Sequence, residues 1–134
     1  MQKLKQQTST ENTILLIIDE YANITNTTKE RNILNEKISY IASIGRAANC
    51  FLILTTQHAT NKNITTTIRN NLQTKIALHC ESINQSKNLI DSTQATKIYK
   101  KGCFLLKTEN ETKLKKLQSC FISNDFLIKV LNKS

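Results

Sequence analysis

Two largely apolar runs organise the chain and read as strands: Ile14–Ile18 (ILLII) and Phe51–Thr55 (FLILT). Neither alternates with polar residues, which fits strands buried on both faces of a parallel α/β sheet. Between them, Asn23–Lys29 (NITNTTK) is rich in residues that bond their own backbone and is expected to be a loop. Glu30–Arg46 is expected to be a helix, with Ile33, Leu34, Lys37, Ile38, Ile41, Ala42 and Ile44 along one face. Strand, helix and strand then form the natural crossover unit. Further on, Thr56–Asn63 is a polar loop, Ile64–Leu72 a short helix and Lys75–Leu78 a third strand. Asn84–Asp91 and Thr93–Tyr99 follow as helices, the first starting near Ser82 or Asn84. Cys103–Lys107 and Leu114–Ile122 pair across the turn Thr108–Thr112 as a hairpin or meander at the sheet edge. Asn124–Leu131 closes the chain as an amphipathic helix, capped by Ser123 or Asp125.

Asp19 and Glu20 end the first run, and in α/β sheets the carboxyl ends of strands are where ligands bind. One carboxylate there can hold Mg²⁺, directly or through water, while the next polarises an attacking water. That is the logic of the Walker B strand of a nucleoside triphosphatase. Taken alone, the pattern also fits a buried strand ending in a solvated acidic turn. Gln57 follows the second run, where its carboxamide could bridge a phosphate and the two acids. His58 reads as a loop residue and His79 as a strand histidine with its partners satisfied. Neither has a clustered partner, so no metal role is assigned to either.

The 134 residues make one domain or part of one, with 19 Lys+Arg against 10 Asp+Glu and a formal charge of +9. That excess suits a polyanion. Lys outnumbers Arg 16 to 3 among abundant Asn, Ile and Thr, however, so codon bias in a low-GC genome is the alternative source of much of it. Lys97, Lys100 and Lys101 form a basic patch that is either DNA-facing or simply solvated. Cys50, Cys80, Cys103 and Cys120 form no CxxC pair and lie in apolar segments, as reduced, small, buried hydrophobes do. No apolar run approaches the length of a membrane span, and a soluble, cytoplasmic chain is expected. Residues 1–12 read as a polar tail. No GxxxxGK[ST] phosphate loop occurs.

The order of segments is informative. ILLIIDEYANI, then KISYIASIGRAANCFLILTTQ, ITTTIRNNLQTKIAL, SINQSKNLID, KIYKKGCFLL and FISND resembles the motor domain of FtsK/SpoIIIE DNA translocases, from Walker B onward. The nearest branch would be the FtsK-like coupling proteins of conjugative elements. The likeness spans roughly residues 13–131 and implies a partial RecA-like P-loop NTPase fold. This would be a mainly parallel sheet flanked by helices, with a carboxyl-terminal hairpin and without the P-loop strand. By resemblance, Asp19 is the Mg²⁺-associated acid (through water), Glu20 the base for the attacking water, and Gln57 the sensor that contacts nucleotide. Arg46, Arg69, Lys75 and Lys87 are candidates for trans-acting or DNA contacts. Family members usually carry arginine at the last two positions, which weakens that assignment. Asn49 replaces a family glycine, tolerable in left-handed backbone.

The resemblance further implies ATP and Mg²⁺ in the complete protein, double-stranded DNA as partner, and a homo-oligomeric ring, a hexamer. The complete protein would act in chromosome segregation or conjugative transfer and carry a membrane anchor elsewhere. Residues 13–134 would then be the carboxyl-terminal piece of the ATPase, or a decayed reading frame, inactive on its own. The alternative is a non-catalytic α/β module that binds DNA or a partner through its positive charge.

Overall fold

A computed structural model describes residues 12–132; the tail expected over residues 1–12 lies almost wholly outside them. The chain divides after Asn71 into two compact units.

In the first unit, β1 (Ile14–Ile18) pairs in parallel with β2 (Cys50–Leu54), Ile14 opposite Cys50 and Ile18 opposite Leu54. The crossover is α1 (Thr28–Ile44), whose first turn is closed by a capping box. Thr27 Oγ1 accepts from Glu30 N at 3.2 Å, and the Glu30 carboxylate accepts from Thr27 N at 3.2 Å. A 3₁₀ turn, Gly45–Ala48, follows, and Asn49 ends it at φ 52°, the left-handed backbone expected of that position. Gly45 has no room for a side chain, since a Cβ there would lie 2.7 Å from the Cys50 carbonyl oxygen. A short helix, α2 (Thr66–Asn71), packs on α1.

The buried face of α1 differs from the expected one. Arg31, Asn35 and Ile38 are buried, whereas Ile33, Lys37 and Ile44 are exposed. The strands also depart from the expectation of burial on both faces. Leu16, Ile18, Leu52 and Leu54 are half-buried, while Leu15, Ile17, Phe51 and Ile53 on the opposite face are 46–59% exposed. Among the described residues that face is therefore about half exposed, because within this unit α1 packs on the sheet from one side only.

The second unit is built on an antiparallel sheet of β3 (Lys75–Ala77), β4 (Cys103–Lys107) and β5 (Lys115–Gln118), with β4 central. The hairpin β4–β5 is the one expected from the sequence. Parallel pairing is confined to β1–β2 among the described residues, so the mixed α/β class holds with its parallel part in the first unit. The core comprises Ala77, Ile90, Ala95, Ile98, Cys103 and Leu105. Helix α3 (Ile83–Ile90) is capped by Ser82, whose hydroxyl accepts from Gln85 N at 3.2 Å, and a 3₁₀ turn spans Gln94–Lys97. Ser86 is fully buried, donating to the Ser92 carbonyl at 2.5 Å and accepting from Ala95 N at 3.2 Å. Strand β5 is exposed throughout, and its two lysines suit an unpaired edge. Helix α4 (Asn124–Leu131) is capped by Ser123 but buries no residue, so it does not close a core as expected.

Two further expectations are corrected. His79 lies beyond the end of β3 and is exposed, so it is not a satisfied strand histidine. The cysteines are all free, but Cys120 is exposed and only Cys103 is buried. Among the described residues no helix is long and apolar enough to cross a membrane.

Candidate functional site

The parallel register places the two strand ends side by side. Ile18 lies opposite Leu54, so the next residues, Asp19–Glu20 and Thr55–Thr56, meet at the carboxyl edge of the pair. Thr55 N donates to the Ile18 carbonyl at 3.0 Å and Tyr21 N to the Thr55 carbonyl at 2.9 Å, which carries the ladder past both strands. The Thr55 hydroxyl donates to Asp19 Oδ1 and accepts from Glu20 N at 3.2 Å. The other oxygen of Asp19, an exposed residue, has no partner among the described residues.

Glu20 adopts left-handed backbone, φ 47° and ψ 56°, which is uncommon for a residue with a Cβ. This geometry folds its carboxylate onto β2. Oε1 accepts from the Thr56 hydroxyl at 3.1 Å, and Gln57 N donates to Oε1 and Oε2 at 3.3 and 3.2 Å. Strain at such a residue costs about 1–3 kcal/mol and persists only where neighbours enforce it.

Arg31, reaching up from α1, holds the residues that follow Glu20. Its guanidinium donates to the Tyr21 carbonyl at 2.7 Å and the Ala22 carbonyl at 2.5 Å, and its Cζ stands 5.4 Å from the Tyr21 ring centre. Tyr21 is fully buried and donates its hydroxyl to Asn35 Oδ1 at 2.7 Å. Burial pushes the Tyr21 phenol above the usual tyrosine range, partly opposed by the Arg31 charge and hydrogen bond. The turn after the two acids is thus clamped to α1 by a buried cation, a phenol and an amide.

Asp19, Glu20 and Gln57, the residues singled out in the sequence, do come together. Gln57 touches Glu20 through its main-chain amide, however; its side chain is exposed and makes no hydrogen bond among the described residues. The other candidates lie apart from this cluster. Arg46 sits on the 3₁₀ turn that precedes β2, hence at the amino edge of the parallel pair, opposite to the acids. Arg69 is on α2 and donates to Thr66 Oγ1 at 3.0 Å. Lys75, on β3, and Lys87, on α3, belong to the second unit. Sequence reasoning missed Thr55, Thr56, Arg31 and Asn35. The threonines were legible in principle, because ILLII and CFLIL are equally long and each ends in a polar pair. So was the clamp: Arg31, Asn35 and Ile38 are spaced i, i+4, i+7, one face of a helix.

A metal bound by protein groups alone does not fit. No cluster of three His, Cys, Asp or Glu occurs among the described residues. A magnesium ion fits better, since it is commonly held by one or two carboxylates, with the rest of its shell filled by phosphate oxygens and water. The half-used carboxylate of Asp19 is suited to that role.

No protein-family model matches the chain. It is similar to DNA translocase FtsK 1 of Neisseria meningitidis serogroup B, 29% identical over 119 residues, covering 89% of this chain and 14% of that protein. It is similar to DNA translocase FtsK of Clostridium tetani, 30% identical over 118 residues, covering 88% and 16%. The chain thus spans about one-seventh of the length of these relatives. Among solved structures, the pCW3 conjugation coupling protein TcpA, in a monomer form with ATPγS, superposes with a TM-score of 0.72 at 23% identity, over 90% of this chain and 37% of that one. The cytoplasmic domain of the Thermomonospora curvata type VII secretion ATPase EccC gives 0.72 at 19% identity, over 84% and 12%. The chain shares the fold of the matched parts of these two proteins, and over most of its length it is similar in sequence to the FtsK DNA translocases.

Proposed function

We propose that the chain is the acid-bearing part of an ATP-driven motor that moves double-stranded DNA in the cytoplasm. Residues 13–134 would act as one functional piece of a ring-forming, hexameric ATPase. The observation that carries this reading is the Asp19–Thr55–Glu20–Gln57 network at the carboxyl edge of β1 and β2. It fixes two carboxylates side by side but ties them differently. Asp19 keeps one oxygen available, while Glu20 is bonded through both of its own.

Within such a motor Asp19 would hold Mg²⁺ through water, and the ion would neutralise charge on the transferred phosphate. Glu20 would accept the proton of the attacking water at a lone pair that Thr56 and the Gln57 amide leave free. The bonds from the Gln57 amide would link the base to the loop that follows β2. Gln57's exposed carboxamide would then report the state of the nucleotide. The phosphate cradle is absent from these 134 residues, and in this reading another part of the motor provides it, together with cover for the bare face of β1 and β2. Basic residues would grip the DNA backbone without regard to sequence; Arg46, Arg69, Lys75 and Lys87 are candidates for that grip or for a trans-acting cation.

ATP turnover by the full-length protein, measured with duplex DNA, tests this. Glu20→Gln is expected to lower turnover by about 100-fold or more while leaving ATP binding intact, the scale of a lost general base. Undiminished turnover refutes the assignment. The 134 residues alone should not turn over ATP; turnover by them that Glu20→Gln abolishes would refute the division of the site.

A further inference from the structure

The second unit carries a feature that the acid site does not use. Tyr99 is 84% exposed, an unusual place for an aromatic ring, and the backbone on either side of it is held. Ile98, beside it, is buried in the core of this unit. The next three residues form a pinned turn. Cys103 N donates to the Lys100 carbonyl at 3.1 Å, Gln118 Nε2 to the Lys101 carbonyl at 3.1 Å, and Ser119 N to the Gly102 carbonyl at 2.9 Å. Gly102 sits at φ +76°, backbone that favours glycine, and a Cβ there would lie 2.6 Å from Gln118 Nε2. The His79 ring stands 6.1 Å from that of Tyr99, tilted by 39°. Together with Leu78, Lys100 and Lys101 these rings line a cleft of about 340 Å³.

Charge and shape point the same way. Lys100 and Lys101 are exposed and form no ion pair among the described residues, and Lys97 lies exposed just before them. An exposed aromatic face beside ammonium groups that form no ion pair among the described residues suits a planar base joined to phosphate. In a duplex the base faces are covered by their neighbours, so only an unpaired strand offers them. Stacking on an aromatic side chain is tolerant of sequence and contributes about 1–3 kcal/mol per base.

We propose that this cleft is a contact site for single-stranded nucleic acid, with an unpaired base stacked on Tyr99 and the adjoining phosphates held by Lys100 and Lys101. The site lies in the other unit from Asp19 and Glu20 and needs no nucleotide, so it stands or falls independently of the ATPase reading.

Fluorescence anisotropy of a labelled oligothymidine 12-mer, titrated with the full chain at low salt, tests it. A blunt duplex of equal charge serves as the second probe. The chain is expected to bind the single strand, and Tyr99→Ala to weaken binding about 5- to 100-fold, with Tyr99→Phe close to the parent. The double variant Lys100→Ala, Lys101→Ala should reduce the slope of log affinity against log salt by ~1.4, for two phosphate contacts on a single strand. Tyr99, Lys100 and Lys101 are exposed, so these variants should keep the parent's circular dichroism spectrum. No single-strand binding, binding only to duplex, or binding untouched by Tyr99→Ala overturns the proposal.

Discussion

The clamp on the acid-bearing turn yields a quantitative prediction for Arg31→Ala. Arg31 is 7% exposed and makes two charged hydrogen bonds to main-chain carbonyls, at 2.7 and 2.5 Å. Each bond of that kind contributes about 1.5–3 kcal/mol, and the cation over the Tyr21 ring adds about 0.5–1 kcal/mol. Against this stand about 2 kcal/mol of side-chain entropy recovered on truncation and the rehydration of the Ala22 carbonyl, which is only half-buried. The net loss is about 3 kcal/mol. With a urea slope of about 2 kcal/mol/M, the unfolding midpoint should fall by ~1.5 M. Arg31→Lys keeps the charge but only one well-aimed donor, and should lose about half as much. Because the second unit has its own core, amide exchange provides the local readout. The Tyr21 amide, bonded to the Thr55 carbonyl at 2.9 Å, should lose protection in Arg31→Ala before any amide of β4 does. A midpoint shift below about 0.3 M, or lysine no better than alanine, would refute the clamp.

Two other perturbations follow from the same structure. Thr27→Ala removes the cap of α1 and should cost about 1 kcal/mol in denaturant titration. The Thr27 hydrogen bonds hold the Glu30 carboxyl below the usual glutamate range. Its contribution to stability is therefore present above that range and lost as pH falls through the lowered value; in Thr27→Ala the NMR-measured titration of Glu30 should move up, and an unmoved titration would show that the capping box is not formed. Gly102→Ala forces a Cβ into left-handed backbone and against Gln118 Nε2 and Ser119 Oγ, 2.6 and 2.9 Å away. A loss of about 1–2 kcal/mol is expected, and an unchanged midpoint would mean that the turn is looser than described.

The sequence was most legible where local signals and packing agree. The caps Ser82 and Ser123 and the turn at Thr108–Thr112 mark boundaries that the structure places within a few residues. Strand β1 was read to the residue, because its apolar run stops abruptly at Asp19. The carboxylate pair was legible from the same junction. The clamp was hidden by an ordinary rule: Arg31 and Asn35 are polar, so an apolar-stripe reading turned α1 to present Ile33 and Lys37 instead. The face of α1 is set by what the turn at Tyr21 needs, and that need arises from a contact ten residues away in sequence. Gln57 was found for its side chain, whereas the structure connects it to Glu20 by main chain, which no residue identity could reveal. Helix α4 shows the opposite failure, since an amphipathic pattern states that a helix has an apolar face but not that anything covers it.

The bare face of β1 and β2 belongs with the acids rather than beside them. A strand in a sheet with one solvated face normally alternates polar with apolar residues, and ILLII and CFLIL do not. Leu15, Ile17, Phe51 and Ile53 are each about half exposed. Full burial of such a side chain contributes about 1.5–3 kcal/mol, so covering the four would add about 4 kcal/mol. That is comparable with the whole stability of a small domain. The residues on that face are therefore chosen for a sheet with two covered sides, while the strand ends are chosen to hold two carboxylates at its rim. In a sheet of that kind the crevice at the rim is bounded from both sides, and a ligand at Asp19 would be enclosed. With one side bare, Asp19 and Glu20 are exposed and half-buried and face open water, where a carboxylate gains little over a hydrated one in holding a cation or taking a proton. On the proposed reading, covering that face would also enclose the acids, and any segment that protects Ile17 and Phe51 from solvent should also reduce the accessibility of Glu20.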